Sequence, residues 1–226
     1  SEAGITALWL IGIWQRSSAS RLIKQLKGQA DAVASAYSIH DYVIAPELGG
    51  EEALQRLRDQ AAGYGLRLVA DMVPNHTAID SRWVAEHPDR FIQLEQPPFP
   101  SYTFSGPELS HTEGLGIRLE DHYWDGTDAA VVFERLETGA GERRYLYHGN
   151  DGTGLPWNDT AQLDYLNPET REAVLETMVS VARQFSVIRF DAAMTLVSRH
   201  IQRLWYPPPG AGGAIASRAL HGSLPA

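Results

Sequence analysis

The chain has 226 residues, of which 43% are hydrophobic and 21% are charged, a balance typical of a globular protein with a sizeable core. Its net charge of -9 argues against a nucleic-acid partner, because phosphate binding needs a basic face. The absence of cysteine excludes disulfides and thiolate metal sites, and the longest apolar stretch, Ile5 to Ile13, is too short to span a membrane.

The first predicted element is the nearly continuous apolar run from Gly4 to Ile13. Such a run, bounded by turn-prone residues, is typical of a parallel strand that is buried on both faces. A short helical stretch is then predicted from Ser20 to Lys27.

The segment from Glu51 to Tyr64 is predicted as a helix, with Gly65 at the position just after its end. Its apolar face consists of Leu54, Leu57 and Ala61. A second apolar run, from Leu66 to Val73, follows at once. The order of strand, helix and strand predicts a parallel sheet.

The composition changes between His76 and about Asp164, where proline, glycine and aromatic residues become frequent. Two short alternating runs, from Ala129 to Arg135 and from Arg143 to Tyr147, flank the turn-prone sequence ETGAGE. This pattern predicts a small insertion that contains a hairpin.

A second helix is predicted to begin at Asn167, where Asn167 caps the helix and Pro168 occupies its first position. The apolar run from Val187 to Phe190 follows as a third buried strand, with Asp191 at its end. Beyond Asp191 the sequence shows little periodicity, and we expect mostly loop as far as Ala226.

The functional residues of parallel α/β folds gather at the carboxyl ends of the strands. The second strand ends in the sequence DMVPNH, from Asp71 to His76. At the end of the third strand, Arg189 and Asp191 lie on the same side because strand side chains alternate. A guanidinium beside a carboxylate keeps that carboxylate ionised, as a nucleophile requires.

These segments resemble glycoside hydrolase family 13, the alpha-amylase family, from about Gly4 to about Thr195. DMVPNH resembles the first conserved region of the family, and VIRFDAA, from Val187 to Ala193, resembles the second. AYSIHDY, from Ala36 to Tyr42, is similar to the segment after strand two. QLDYLNPETREA, from Gln162 to Ala173, is similar to the approach to the second region.

The resemblance implies an α/β fold that is a partial (β/α)8 TIM barrel, with strands two to four and a long insertion after strand three. Residues 1–76 would hold strands two and three with the intervening helix. Residues 77–164 would form the inserted small domain. Residues 165–226 would supply a barrel helix, strand four and the following loop.

The resemblance also implies the roles of four residues. Asp191 would be the catalytic nucleophile of a retaining glycosidase, and Arg189 would orient it. Tyr37 and His76 would bind the substrate, an alpha-glucan or an oligosaccharide. Trp157 could also be a sugar platform, but core packing is the commoner role of a large aromatic residue, and the same holds for Trp205.

Retaining chemistry uses two carboxyl groups roughly 5 Å apart. In the family, the acid–base glutamate and a His-Asp pair follow the nucleophile, yet residues 192–226 contain no Asp or Glu. We therefore expect the chain to be a fragment of the catalytic domain that is inactive alone. The alternative is a non-catalytic carbohydrate-binding or scaffold relative of the same fold.

No cofactor is implied, and a metal site is not favoured. Family members that bind calcium commonly use the residue equivalent to Asn75 together with an Asp and a His, where this sequence has Gln162 and Thr195. Since calcium prefers several oxygen ligands, such a site is disfavoured here. A metal hydrolase that uses the set His40, Asp41, Asp71 and His76 is disfavoured as well, because no HExxH-type spacing occurs.

Overall fold

The structure of the chain, a computed structural model, describes residues 4–207. The strands are β1 (Ala7–Leu10), β2 (Trp14–Arg16), β3 (Ile39–Ile44), β4 (Arg67–Met72), β5 (His76–Ala78), β6 (Gln93–Leu94), β7 (Leu115–Leu119), β8 (Val132–Glu137), β9 (Glu142–Tyr147), β10 (Thr160–Gln162) and β11 (Val187–Phe190). The α-helices are α1 (Ser18–Leu26), α2 (Gly50–Gly63), α3 (Arg82–Glu86), α4 (His122–Asp125), α5 (Pro168–Gln184) and α6 (Ser198–Trp205).

A three-stranded parallel sheet in the order β1-β4-β11 forms the centre of the fold. Trp9 of β1 pairs with Val69 of β4, and Arg189 of β11 pairs with Asp71 of β4. Helix α2 leads into β4 and helix α5 leads into β11, so the predicted order of strand, helix, strand, helix and strand is observed. Within the described residues this sheet does not close into a barrel.

The helices cover one face of the parallel sheet. Leu54 and Ala61 of α2 are buried against Leu68 and Ala70 of β4, as the helical spacing predicted. Gly65 has a φ of +66°, which fits its predicted place just beyond the end of α2. The helix ends at this point because the left-handed backbone turns the chain directly into β4.

Helix α5 starts as its sequence predicts. The side chain of Asn167 accepts a hydrogen bond from the backbone N–H of Glu169, and Pro168 is the first helical residue. Val174 and Val181 of this helix are buried against the sheet side of the fold. The cap and the apolar face together fix where the chain enters β11.

The prediction that the outer two strands are buried on both faces is wrong. The exposed fractions are 49% for Trp9 of β1, and 38% for Val187 and 43% for Phe190 of β11. Both strands are edges of the sheet, and among residues 4–207 each pairs with β4 alone. Val187 shares the face without helices with Arg189, whereas Phe190 lies on the other face and is exposed because β11 is an edge strand.

The segment between β4 and α5 contains a four-stranded antiparallel sheet in the order β6-β9-β8-β7. The predicted hairpin is present as β8 and β9, with Glu137 paired to Glu142 at its turn. Strands β5 and β10 pair antiparallel, with His76 opposite Gln162, and so bring the start and the end of this segment together.

The expectation of mostly loop after Asp191 is wrong for residues 198–205, which form helix α6. Trp205 is 2% exposed and makes an edge contact with Tyr147 at a centroid distance of 5.6 Å. Ile201 and Leu204 pack into the same cluster, so the helix is stabilised by burial of one face. The rest of the predicted loop, residues 208–226, lies outside the described residues.

Of the helices in residues 4–207, none is both long and apolar enough to cross a membrane.

Candidate functional site

A hydrogen-bonded cluster occupies the exposed face of the parallel sheet, at the carboxyl ends of β4 and β11. The guanidinium of Arg189 donates from Nη1 to Oδ1 of Asp71 and from Nη2 to Oδ1 of Asp191, each at 3.0 Å. These bonds raise the pKa of Arg189 above its usual value, with the bond to Asp71 as the largest cause. Arg189 therefore stays charged and bridges the two carboxylates.

Asp191 lies directly after β11. Its backbone N–H donates to the carbonyl of Met72 in β4 at 2.8 Å and so continues the hydrogen bonding between β11 and β4. Its side chain is 27% exposed. The next residue, Ala192, has a φ of +54°, a left-handed conformation that is uncommon for any residue other than glycine. The chain thus turns sharply away after Asp191 and leaves its carboxylate at the open end of the sheet.

Tyr37 links the other two predicted site residues to each other. Its side chain is hydrogen-bonded to Arg189, and its backbone is hydrogen-bonded to the ring of His76. The structure therefore brings together all four predicted residues: Tyr37, His76, Arg189 and Asp191.

The loop that carries Tyr37 is held by serine side chains. Ser38 Oγ donates to the backbone carbonyl of Asp159 at 2.7 Å. Ser20 Oγ of helix α1 accepts from the backbone N–H of Ser35 in this loop at 3.0 Å and donates to the carboxylate of Asp159 at 2.6 Å. Asp159 directly precedes β10, so these bonds fasten the Tyr37 loop to the end of the inserted segment. The position of Tyr37 consequently depends on that segment.

His76 is 4% exposed, and burial lowers its pKa to about 4. Asn75 Nδ2 lies 3.2 Å from His76 Nδ1, which fits an accepting Nδ1, and the ring is also hydrogen-bonded to the Tyr37 backbone. The imidazole is therefore neutral and already has two hydrogen-bond partners. Binding of a sugar hydroxyl by His76 would require one of these bonds to be exchanged.

Trp157 packs against His76, with the ring centroids 5.0 Å apart. The sequence left its role open, and its side chain is only partly buried. Trp205 lies in the core instead, at 2% exposure. The two tryptophans differ because Trp157 precedes β10, the strand that pairs with His76, a relation that the sequence alone does not show.

Asp71 differs from Asp191 in its surroundings. It is 4% exposed, and its Oδ1 accepts hydrogen bonds from Trp9 Nε1 and Arg189 Nη1, each at 3.0 Å. The backbone carbonyl of Asp71 also accepts a bond from Trp14 Nε1 at 2.8 Å. A carboxylate that is buried and engaged in this way supports the cluster and is unsuited to react with a substrate.

The residues present do not fit a calcium site of the kind considered above. Gln162 Nε2 donates to both the side-chain oxygen and the backbone oxygen of Asn75, at 3.1 Å each, and Asn75 Nδ2 lies 3.2 Å from Gln162 Oε1. An amide N–H thus meets the oxygens that a cation would need, and no carboxylate takes part.

The metal-hydrolase set is not assembled either. Asp41 forms an ion pair with Arg82 at 3.0 Å, and His40 and Asp41 line a cavity of about 350 Å³ beside α3 and α5. Neither Asp191 nor Arg189 lines this cavity. Over residues 4–207 no group of three or more His, Cys, Asp or Glu side chains could hold a metal ion.

Gly149 lies where the inserted segment packs closely against His76. A Cβ at this position would lie 2.5 Å from Thr160 Oγ1 and 3.1 Å from His76 Cβ. We expect Gly149→Ala to lower the free energy of unfolding by about 1–3 kcal/mol and to shift the NMR signals of the His76 ring, because one of these neighbours must move. Urea unfolding and NMR would measure the two effects.

Gly139→Ala is the matched control, since a Cβ at Gly139 would meet no atom within 4 Å. We expect it to change the stability by less than about 0.5 kcal/mol. Equal stability of the two variants would contradict the proposed close packing at Gly149.

Comparisons with known proteins agree with the residue pattern. The model of the alpha-amylase catalytic domain matches residues 1–126. No curated protein matches the chain.

Among solved structures, a family GH13_31 enzyme matches with a TM-score of 0.51 and 17% identity, over 84% of this chain and 29% of that chain. A trehalulose synthase variant in complex with Tris has a TM-score of 0.51 and 17% identity, over 83% and 28% of the two chains. An isomaltulose synthase variant from Erwinia rhapontici NX5 with its substrate sucrose has a TM-score of 0.50 and 18% identity, over 83% and 28%. The chain thus spans less than a third of these proteins, and the likeness at this identity is one of fold.

Proposed function

Since the chain belongs to the alpha-amylase family of catalytic domains, we propose that it carries the nucleophile half of a retaining glycosidase site. The observed sheet is part of a (β/α)8 fold. We assign β1, β4 and β11 to barrel strands two, three and four. Residues 77–164 are then the inserted small domain between residues 1–76 and 165–226.

Asp191 is the proposed nucleophile. The observation that carries this role is the bond from Arg189 to the partly exposed Asp191 carboxylate, while the second carboxylate on the same guanidinium, Asp71, is buried. The charge supplied by Arg189 keeps the Asp191 oxygen available for attack on an anomeric carbon. A carboxylate oxygen of Asp191 bonds to that carbon as its bond to the leaving oxygen breaks, which forms a glycosyl ester.

Tyr37 and His76 are the proposed substrate-binding residues for an alpha-glucan or oligosaccharide. Tyr37 is hydrogen-bonded to Arg189, so a sugar that contacts Tyr37 lies beside the nucleophile. His76 is neutral, and on sugar binding it can exchange its bond from the Tyr37 backbone to a hydroxyl. The family relation, and not the size of a cavity, supports the glucan as substrate.

The departing sugar oxygen of an ordinary glycoside must be protonated, and that proton needs a second carboxyl group. Asp71 is unsuited to this role, because it is 4% exposed and its Oδ1 is bonded to Trp9 and to the cation of Arg189. No Asp or Glu follows Asp191 in the sequence. We therefore infer that the chain alone does not turn over ordinary glycosides.

The proposal that the chain holds the nucleophile but lacks the acid–base group can be tested with alpha-glucosyl fluoride, whose fluoride leaves without being protonated. We expect the chain to form a glucosyl ester on Asp191, with release of one fluoride per ester. The ester should persist, because no general base activates water for its hydrolysis. Mass spectrometry of the intact chain and of its peptides would locate the added hexose.

Asp191→Asn should abolish this labelling, whereas Asp125→Asn should leave it unchanged, because Asp125 is fully exposed and its carboxylate bonds to Thr127 of its own turn. Labelling of another carboxylate in place of Asp191 would contradict the assignment. A chain that binds maltotriose but is never labelled would instead favour the non-catalytic carbohydrate-binding relative.

A further inference from the structure

Trp9 occupies an unusual position for a tryptophan of a central sheet. Its side chain projects from β1 onto the face that carries the site, and the residue is 49% exposed. Core packing therefore does not account for the indole. Its partners are polar groups of the other two strands of the sheet: Asp71 of β4 and Arg189 of β11.

Two separate contacts join Trp9 to these groups. The guanidinium carbon of Arg189 lies 5.0 Å from the centroid of the Trp9 ring, which is within the range of a cation–π interaction. The indole Nε1 donates to Asp71 Oδ1 at 3.0 Å. One side chain thus contacts both the cation and the anion of a single ion pair.

Asp71 is the residue to which both Trp9 and Arg189 are hydrogen-bonded. Its Oδ1 receives both Trp9 Nε1 and Arg189 Nη1, while its buried Oδ2 has no hydrogen-bond partner within residues 4–207. Trp14 additionally holds the Asp71 backbone carbonyl. Trp9 and the Nη1 end of Arg189 are therefore held by the same oxygen of Asp71.

The guanidinium of Arg189 is planar and rigid. Contacts that hold Nη1 and one face of the plane therefore also determine the direction in which Nη2 points. Its Nη1 end is held by Asp71, and its Nη2 end donates to Asp191. Because the Arg189 side chain is 43% exposed, solvent would otherwise compete for these bonds. The Trp9 ring shields one face of the plane from that competition.

We propose that Trp9 is a positioning residue for Asp191, acting through Asp71 and Arg189. The indole holds the guanidinium plane in the orientation that presents Nη2 to the Asp191 carboxylate. The role in catalysis rests on the proposed function, but the restraint itself is a property of the chain without substrate. Tyr37 and Tyr42 also face this cluster, by a hydrogen bond to Arg189 and through the charges of Asp71 and Asp191, respectively.

The test is an NMR comparison of the 226-residue chain with two variants. Trp9→Phe keeps a ring and removes the N–H donor, whereas Trp9→Leu removes both. We expect rotation about the Cζ–Nε bond of Arg189 to be slowest in the unaltered chain, faster in Trp9→Phe and fastest in Trp9→Leu. The loss of the ring alone should account for a roughly threefold acceleration. The side-chain carboxyl ¹³C signal of Asp191 should shift in the same order.

Ile11→Leu is the control, because Ile11 is similarly exposed, lies two residues further along and cannot donate a hydrogen bond. It should leave both signals unchanged. Equal guanidinium rotation and an unmoved Asp191 signal in Trp9→Leu would overturn the proposal. If Trp9→Leu does not fold, Trp9→Phe decides, since loss of the N–H must by itself accelerate the rotation.

These readouts do not depend on turnover. A positive NMR result without labelling by alpha-glucosyl fluoride would leave the positioning intact and refute the catalytic use of Asp191. Labelling at the normal rate in a folded Trp9→Leu chain whose guanidinium rotates freely would show that the restraint exists but does not serve the reaction, and would keep the nucleophile.

Discussion

Asp191→Asn lowers kcat for maltooligosaccharides by roughly 10⁴-fold or more in a polypeptide that joins this chain to an acid–base half of the site. The amide has the shape of the carboxylate and its oxygen can still accept the bond from Arg189, so we expect the fold to be kept. It lacks the negative charge that attacks the anomeric carbon. Steady-state kinetics on maltotetraose would measure the loss.

Chemical rescue distinguishes loss of a nucleophile from a general disturbance of the site. We expect Asp191→Ala to regain activity with added formate, which attacks from the vacated position. Asp125→Asn is the control for charge, since Asp125 is fully exposed and its carboxylate accepts hydrogen bonds from Thr127 of its own turn. Undiminished turnover in Asp191→Asn would refute the assignment of the nucleophile.

The second large effect is acid destabilisation through two buried histidines. Burial lowers the pKa of His76 and of His148 to about 4 each, from an ordinary value of 6.5. In the unfolded chain both rings take up a proton below pH 6.5, whereas in the folded chain they resist protonation until about pH 4. The unfolded state binds more protons in this window, so stability is full above pH 6.5 and falls as the pH drops to about 4.

These pKa shifts correspond to about 3 kcal/mol for each histidine over that window. Urea unfolding between pH 7.5 and pH 4 would measure the free energy of unfolding. The difference between the chain and its His148→Gln variant cancels the contributions of other groups. His148 Nδ1 lies 3.0 Å from the carbonyl of Thr160, and the glutamine amide can replace that donor without titrating. An unchanged slope in His148→Gln would show that His148 is not neutral in the fold.

Local sequence rules predicted the elements whose boundaries depend on backbone chemistry. Asn167 and Pro168 marked the start of α5, and Gly65 marked the turn after α2. The hairpin around ETGAGE was predicted for the same reason, because tight turns need particular residues at fixed places. That Arg189 and Asp191 lie on the same side of the third strand was predicted from strand alternation alone.

Features that depend on the surroundings of an element could not be predicted in this way. An apolar run shows that a strand can be buried, but it does not show whether another layer covers it, and Trp9 and Phe190 are exposed. Helix α6 lacks a side-chain cap, and its stability comes from contacts with Tyr147, which lies more than fifty residues earlier. The contact of Trp157 with His76 depends on the β5–β10 pairing, which no local pattern in either strand reveals.

The pairing of β5 with β10 has a consequence for how such a protein can diversify. The antiparallel ladder from His76–Gln162 to Ala78–Thr160 joins two points that are more than eighty residues apart in sequence. The chain between these two points leaves and rejoins the parallel sheet at the same place. Its length and content can therefore change while Arg189 and Asp191 keep their places, as long as Asp159 still holds the Tyr37 loop. Exchange of this one interval between related chains would therefore be an economical route to a new sugar preference, with the reacting groups inherited unaltered.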